Sequence, residues 1–403
     1  MSKTTATSNQ YICYNTGFST PNIELNVARQ DVIELITSAS APDNVLAKLF
    51  SYIQLLLRFK ATKGIDHELT ITTLNIAIAY EKMVLESMTV AYTAGRTDLW
   101  TTASDYLKRA IGILLFLKST DWLHGDEELY QYLLRYTNEM GVLQQLSVVL
   151  VAITKLRSNL YKDSILDLDH SNDLTQNILS SNNITLYSRM CISALETMVA
   201  ILGKHSSNTL PITIINSYNV DFIKVLIYLL VSLEQYEANN VGHAMGFLKL
   251  SRKYLTRSIM KTTDLQSSLD SIMVFDGHKK NLKAASLGKL KNVFKKEKTV
   301  DFNSTLKSLK VTFNKDNSND PLRPLLLNVL NDLILPLFLL LSYRYEKTNQ
   351  LYSFQEPIED EDMLIRDLPK AIIMNLKSIS WKISDQNELI EDTALSIGHD
   401  EYF

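Results

Sequence analysis

Breakers of regular backbone are scarce in this chain. Twelve glycines and eight prolines in 403 residues make up about five per cent, under half the usual share. So few interruptions favour long helices with short connections over a sheet with many turns. From Val32 onward the pattern is helical nearly throughout. Residues 97–118 are the plainest case: Leu99, Ala103, Leu107, Ala110, Leu114 and Leu117 recur at three- and four-residue spacing, with Asp105, Lys108 and Arg109 opposite. Thr97 and Asp98 suit its start, because their oxygens can accept bonds from first-turn amides. The preceding segment, 67–92, is apolar around most of its circumference, which fits a central helix packed on several sides. Further helices are predicted over 42–61, 126–162, 184–203, 219–238, 243–260, 321–350 and 369–382.

Connections rich in Asn, Ser and Asp fall at 163–183 and 312–320, and no strong linker interrupts the chain. The expected fold class is therefore all-α, with one elongated helical domain over 31–385. An irregular segment over 1–30, with a short strand at 11–14, precedes it, and an acidic tail over 386–403 follows. The pair 67–92 and 97–118 has the look of a tetratricopeptide hairpin, but no 34-residue repeat follows.

Several function classes are disfavoured by composition. The net charge of −3 gives no overall electrostatic footprint for nucleic acid. Cys13 and Cys191 are the only cysteines, too few for a disulfide framework or a cysteine zinc cluster. The start, MSKTTATSNQ, has neither a signal-type apolar core nor transit-type arginines, so a soluble cytoplasmic protein is expected. The most hydrophobic window, 325–341, contains Asn328, Asn331, Asp332 and Pro336. A charge near a bilayer centre costs about 2.5–3.5 kcal/mol, so this reads as a buried core helix.

Catalytic constellations are absent from the sequence. Asp163, Asp167, Asp169 and Asp173 are the densest carboxylate group, yet a calcium loop from Asp167 would need Gly and Glu where Asn172 and Ile178 stand. The histidines at 67, 124, 170, 205, 243, 278 and 399 are scattered, without paired-ligand spacing. No GxSxG, phosphate-loop or catalytic-cysteine signature occurs. The expectation is a protein with no catalytic residues, no metal and no cofactor. The Gly242-His-Ala-Met-Gly246 stretch follows a helix rather than a strand, so it reads as a helix-to-helix corner. Gly242 would relieve the backbone there, and Gly246 would permit close helix contact.

Two surfaces are candidates for binding. The run 278–298 carries eight lysines, among them Lys279, Lys280, Lys283, Lys289, Lys291, Lys295 and Lys296, with a partial stripe of Leu282, Leu287, Leu290, Val293 and Phe294. It suits an anionic membrane surface or an acidic partner helix, or simply a solvated helix face. The acidic segments 356–367 and 388–401 are expected to offset it. On the helix at 184–203, Tyr187, Cys191, Leu195, Met198 and Leu202 form the core stripe. Leu186 and Met190, rotated from it, form a small exposed patch beside Arg189.

Four stretches together resemble the Bro-one domain of the PalA and ALIX family of ESCRT-associated scaffolds. They are HELTITTLNIAIAYEKM (67–83), ASDYLKRAIGILLFLKS (103–119), VGHAMGFLKLSRKYL (241–255) and LLNVLNDLILPLFLLLSYRYEK (326–347). Their order and spacing agree with the family over roughly residues 40–350. The resemblance implies an elongated helical domain with a tetratricopeptide-like core and an N-terminal sheet that is reduced or absent here. It also implies docking of the C-terminal amphipathic helix of an ESCRT-III subunit, with Leu186 and Met190 on the family's apolar pair and Arg189 on its basic position. Such a protein would be a cytoplasmic scaffold, recruited to endosomes, acting with pH-response pathway proteins or in endosomal sorting. A peripheral membrane module using the lysine run is the alternative. No room follows residue 350 for the V-shaped domain of longer members.

Overall fold

The computed structural model describes residues 11–14, 18, 20–38, 40–59, 62, 64–123, 126–161, 181–203, 214–260, 265 and 320–382. Among them regular structure is helical, with no strand. In chain order the helices are α1 (Ile23–Thr37), α2 (Pro42–Arg58), α3 (Ile65–Ala94), α4 (Thr97–Ser119), α5 (Glu127–Tyr161) and α6 (Ser181–Gly203). They continue with α7 (Ser217–Glu237), α8 (Val241–Tyr254), α9 (Arg323–Val329), α10 (Leu335–Thr348) and the short α11 (Glu361–Arg366). The all-α expectation holds. Wider π-type turns extend α8 over Leu255–Ile259, join α9 to α10 over Leu330–Ile334 and follow α10 over Asn349–Ser353.

Three expected elements differ. Residues 23–30, read as irregular, belong to α1, where Asn22 caps the helix by accepting a bond from Leu25 N (3.0 Å). Only Leu25, Val32 and Ile36 of α1 are buried, too sparse a stripe to stand out in the sequence. At residues 11–14 only Ile12 forms an isolated bridge, and among the described residues no strand results. Instead, fully buried Asn75 of α3 grips the backbone of Ile12, accepting its N–H (2.8 Å) and donating to its carbonyl (2.9 Å). Residues 369–382, predicted helical, form no helix. Pro369 and the β-branched pair Ile372-Ile373 oppose a helix there, and the freed amides bond to other helices.

The span read as one domain groups into two compact units, residues 1–81, 108–133 and 377–403 against 82–107 and 134–376. The divisions fall inside α3, α4 and α5, so no composition shift marks them. In the first unit, Glu68 of α3 gathers the preceding elements. Its Oε1 accepts from Arg29 Nε of α1 (2.6 Å) and from the Tyr52 hydroxyl of α2 (2.8 Å). The Arg29 guanidinium also lies over the Tyr14 and Phe18 rings, and the Tyr14 hydroxyl donates to Thr72 Oγ1 (3.1 Å). Three buried polar residues of α3, Glu68, Thr72 and Asn75, thus each bond to an element that precedes it in the chain.

In the second unit α7 is buried along most of its length and packs against both α6 and α8. It ends at Asn239, which adopts a left-handed conformation (φ 62°), while Asn240 N donates to Gln235 O (2.9 Å). Asn239, not Gly242, thus turns the corner. The window 325–341 lies in the core, as expected: Leu333 to Leu341 are all buried. Buried Asp320 ties α9 to α7 by accepting from Asn216 (2.9 Å), Asn219 (2.8 Å) and Leu322 N (3.0 Å).

Burial raises the Glu68 carboxyl above its ordinary range, against the opposing pull of Arg29 and Tyr52. A carboxyl raised in the fold contributes stability while protonated and loses it as pH climbs through the raised value. Glu68→Gln cannot ionise and is expected to flatten the fall in stability as pH rises from about 4, near the ordinary carboxylate value, towards neutrality. Denaturant midpoints at both pH values check this; an unchanged pH slope in the variant contradicts it.

Candidate docking surface

Beyond α10 the chain becomes a strap laid across helices. Its departure is fixed by a polar clasp. Asn349 Nδ2 donates to Gln355 O (2.8 Å) and Asn349 Oδ1 accepts from Gln355 N (2.8 Å). The Gln355 side chain then accepts from Gly242 N (2.8 Å) and donates to Asn239 O (3.0 Å). Between them Phe354 is held in a left-handed conformation (φ 50°), which a bulky residue adopts only under such constraint.

Along the strap one contact geometry recurs. A strap isoleucine donates its N–H to a helix carbonyl, and a small residue stands four positions further along that helix. Ile358 N bonds to Gly242 O (3.2 Å), and a methyl on Gly246 would come within 2.6 Å of Ile358 O. Ile372 N bonds to Arg189 O of α6 (3.3 Å), four residues before buried Ser193. In the first unit Ile379 N bonds to Lys108 O of α4 (3.0 Å), and a methyl on Gly112 would collide with the Ile379 carbonyl. The reason is elementary. A helix carbonyl has a second lone pair beyond the one serving residue i+4, and only a small side chain at i+4 lets another backbone reach it. Gly246 therefore admits the strap's backbone at Ile358 and also the close approach of Leu364 from the short α11. Gly242 is needed for the same approach, since its methyl would stand 2.5 Å from Glu356 O.

Side chains fix the strap's position. Leu364 of α11 is buried against Gly246, and α11 itself is capped by Asp360, which accepts from Asp362 N (3.0 Å) and Met363 N (3.2 Å). Lys249 pairs with Glu359 (2.9 Å), Lys253 with Glu361 (2.6 Å) and His243 with Asp367 (3.5 Å). The bond from Lys249 lowers the Glu359 carboxyl, and the bond to Glu361 raises the Lys253 ammonium. The acidic segment 356–367, expected to offset the lysine run, thus pairs with α8. Further on, Arg189 Nε donates to Lys370 O (2.7 Å), and the Leu376 side chain rests over Gly141 of α5. In the first unit the Trp381 ring meets Phe116 of α4 edge-on, with centroids 4.8 Å apart.

The predicted site residues fare differently. Met190, expected to be exposed, is buried with 2% of its surface accessible, and Leu186 is half-buried. The strap crosses α6 at Arg189, so a face that would be open on a bare helix is covered. Arg189 is engaged by the strap through both its side chain and its carbonyl. The outermost apolar group here is Ile373, 86% exposed, one residue beyond the Ile372–Arg189 bond. Sequence reasoning assigned Ile373 to a helix and missed it; Pro369 before an Ile-Ile pair was the available signal. The lysines at 279–296 and the aspartates at 163–173 lie outside the described residues. Among the described residues no group of His, Cys, Asp or Glu is placed to hold a metal. Cys191 is fully buried, and burial pushes its thiol up to about 12, which leaves it unreactive.

A family model matches residues 63–403, which include all of the strap. The chain belongs to DUF5355, a family of unknown function. It is also 28% identical over 395 residues to the uncharacterized protein YGR122W of Saccharomyces cerevisiae, covering 93% of this chain and 92% of that protein. No solved structure matches.

The contact at Gly112 provides a sharp test of the strap geometry. Gly112→Ala should detach Ile379 while α4 keeps its helicity, since alanine favours a helix by about 1 kcal/mol over glycine. Loss of hydrogen-exchange protection at Ile379 and a red shift of Trp381 fluorescence are expected. Retained protection at Ile379 would show that the methyl is accommodated.

Proposed function

We propose that this protein is a non-catalytic cytosolic scaffold of the Bro-one kind, which docks the C-terminal amphipathic helix of an ESCRT-III subunit. On this reading it acts in alkaline pH-response signalling, through proteolytic activation of a PacC-type transcription factor, or in endosomal sorting, and is recruited to endosomes. The observation that carries it is the combination of apolar and basic groups where the strap crosses α6. Leu186 lies three residues before Arg189, on the same side of the helix. Ile373 projects from the strap beside that arginine, and Lys370 is bonded to it through its carbonyl. An amphipathic helix can set apolar side chains against Leu186 and Ile373 and carboxylates toward the two cations, a helix-on-groove mode of recognition. Further support is that the four family-like stretches fall on α3, α4, α8 and α9–α10, all helices and in the implied order.

Compared with the sequence reading, the apolar pair becomes Leu186 and Ile373, and Met190 becomes a core residue. Leu186→Asp or Ile373→Asp should weaken capture of an ESCRT-III C-terminal helix peptide at least about tenfold, or ~1.4 kcal/mol, with unchanged helical content. Met190→Asp should instead lower thermal stability, because it buries a charge. Calorimetric titration and thermal melts measure both. Undiminished binding by the first two variants rejects the site.

A further inference from the structure

The face of α8 carries Lys249, Arg252 and Lys253, with Arg257 one turn further on, and no carboxylate stands between Val241 and Ile259. Residues 356–367 carry six carboxylates and one arginine, for a net charge of −5. These two stretches meet through the Lys249–Glu359 and Lys253–Glu361 pairs, both exposed to solvent. The backbone of the segment follows Gly242 and Gly246, and Leu364 is its buried side chain. From Gln355 to Met363 almost every residue is exposed. Besides the Ile358–Gly242 backbone bond, the attachment consists of ion pairs, the exposed ones weak and screened by salt, and one apolar anchor.

We propose that α8 is a receptor for acidic protein segments, and that residues 356–367 are its intramolecular occupant. The seated segment defines the recognition pattern. An isoleucine at the Ile358 position donates its N–H to Gly242 O and passes its carbonyl over Gly246. Carboxylates one and three residues later meet Lys249 and Lys253. A leucine six residues after the isoleucine fills the site against Gly246. Two anchors flank the segment: the Asn349–Gln355 clasp before it and the Lys370–Arg189 bond after it. The segment can therefore lift from α8 between fixed points while the rest of the strap stays in place. A partner segment with the same acidic and apolar spacing would take its place. This surface lies on α8 and is independent of docking at Leu186 and Ile373.

The test uses the full-length chain and a fluorescent peptide of residues 355–368 as probe. In the variant Glu359→Lys/Glu361→Lys the intramolecular occupant is repelled while α8 is untouched. Fluorescence anisotropy should show this variant binding the peptide at least about tenfold more tightly than the unmodified chain, with affinity falling as salt is raised. Adding Lys249→Glu/Lys253→Glu should abolish that gain. Equal affinity of the variant and the unmodified chain, or a gain that survives the α8 reversal, would overturn the proposal. Hydrogen exchange at the Ile358 amide of the unmodified chain is a second measurement. It should speed up with salt and with added peptide; protection indifferent to both also overturns it.

Discussion

An extended backbone with no sheet to join must find its hydrogen bonds elsewhere, and this fold depends on how helices supply them. Two stretches outside the long helices need such partners, one at residues 11–14 and one over 355–382, which only the short α11 interrupts. The first is paired by a side chain: Asn75 presents a donor and an acceptor to both polar groups of Ile12, as a neighbouring strand would. The second is paired by helix backbone, at Gly242 O, Arg189 O and Lys108 O. Both solutions work only where the helix surface has been shaped for them, by a buried amide in one case and by small side chains in the other.

The same requirement explains the scarce glycines inside helices. A glycine in a helix interior costs about 1 kcal/mol relative to alanine, so its presence needs a compensating contact. At Gly112, Gly242 and Gly246 that contact is a strap carbonyl lying where a methyl would be. The strap in turn gives the helix pack a surface its helices alone lack. Ile373 and Lys370 stand beside Arg189, and a run of carboxylates lies along the cations of α8. The surfaces proposed for partners are thus joint products of helix and strap, while the chain's buried polar groups at Glu68, Asn75 and Asp320 hold elements together.

Much of the helical scaffold was legible because it rests on period and composition. The interior of α3 and α4 could be read from apolar spacing, and the central window of α9 and α10 was identifiable as core despite its hydrophobicity, because Asp332 and Pro336 argued against a lipid span. The boundaries of α2 to α8 fell within a few residues of expectation. The start of α1 did not, since three buried residues in fifteen give too faint a stripe. The candidate site was legible only in part. Arg189 and Leu186 could be singled out as lying off the core stripe, but Met190 could not be told from an exposed residue, because its burial is decided by tertiary packing and not by its spacing on the helix.

What the sequence determined by itself was local: long helices and the apolar stripes by which they pack. Each follows from interactions within one or two turns, which a linear pattern records. The tertiary structure alone decided the path of residues 355–382. That path is set by which helix carbonyls lie uncovered, and uncovering depends on residues such as Gly112, Ser193 and Gly246, far from the strap in sequence. It also decided that the acids of 356–367 face Lys249 and Lys253, because charge attracts without regard to order along the chain and only packing brings the groups within reach.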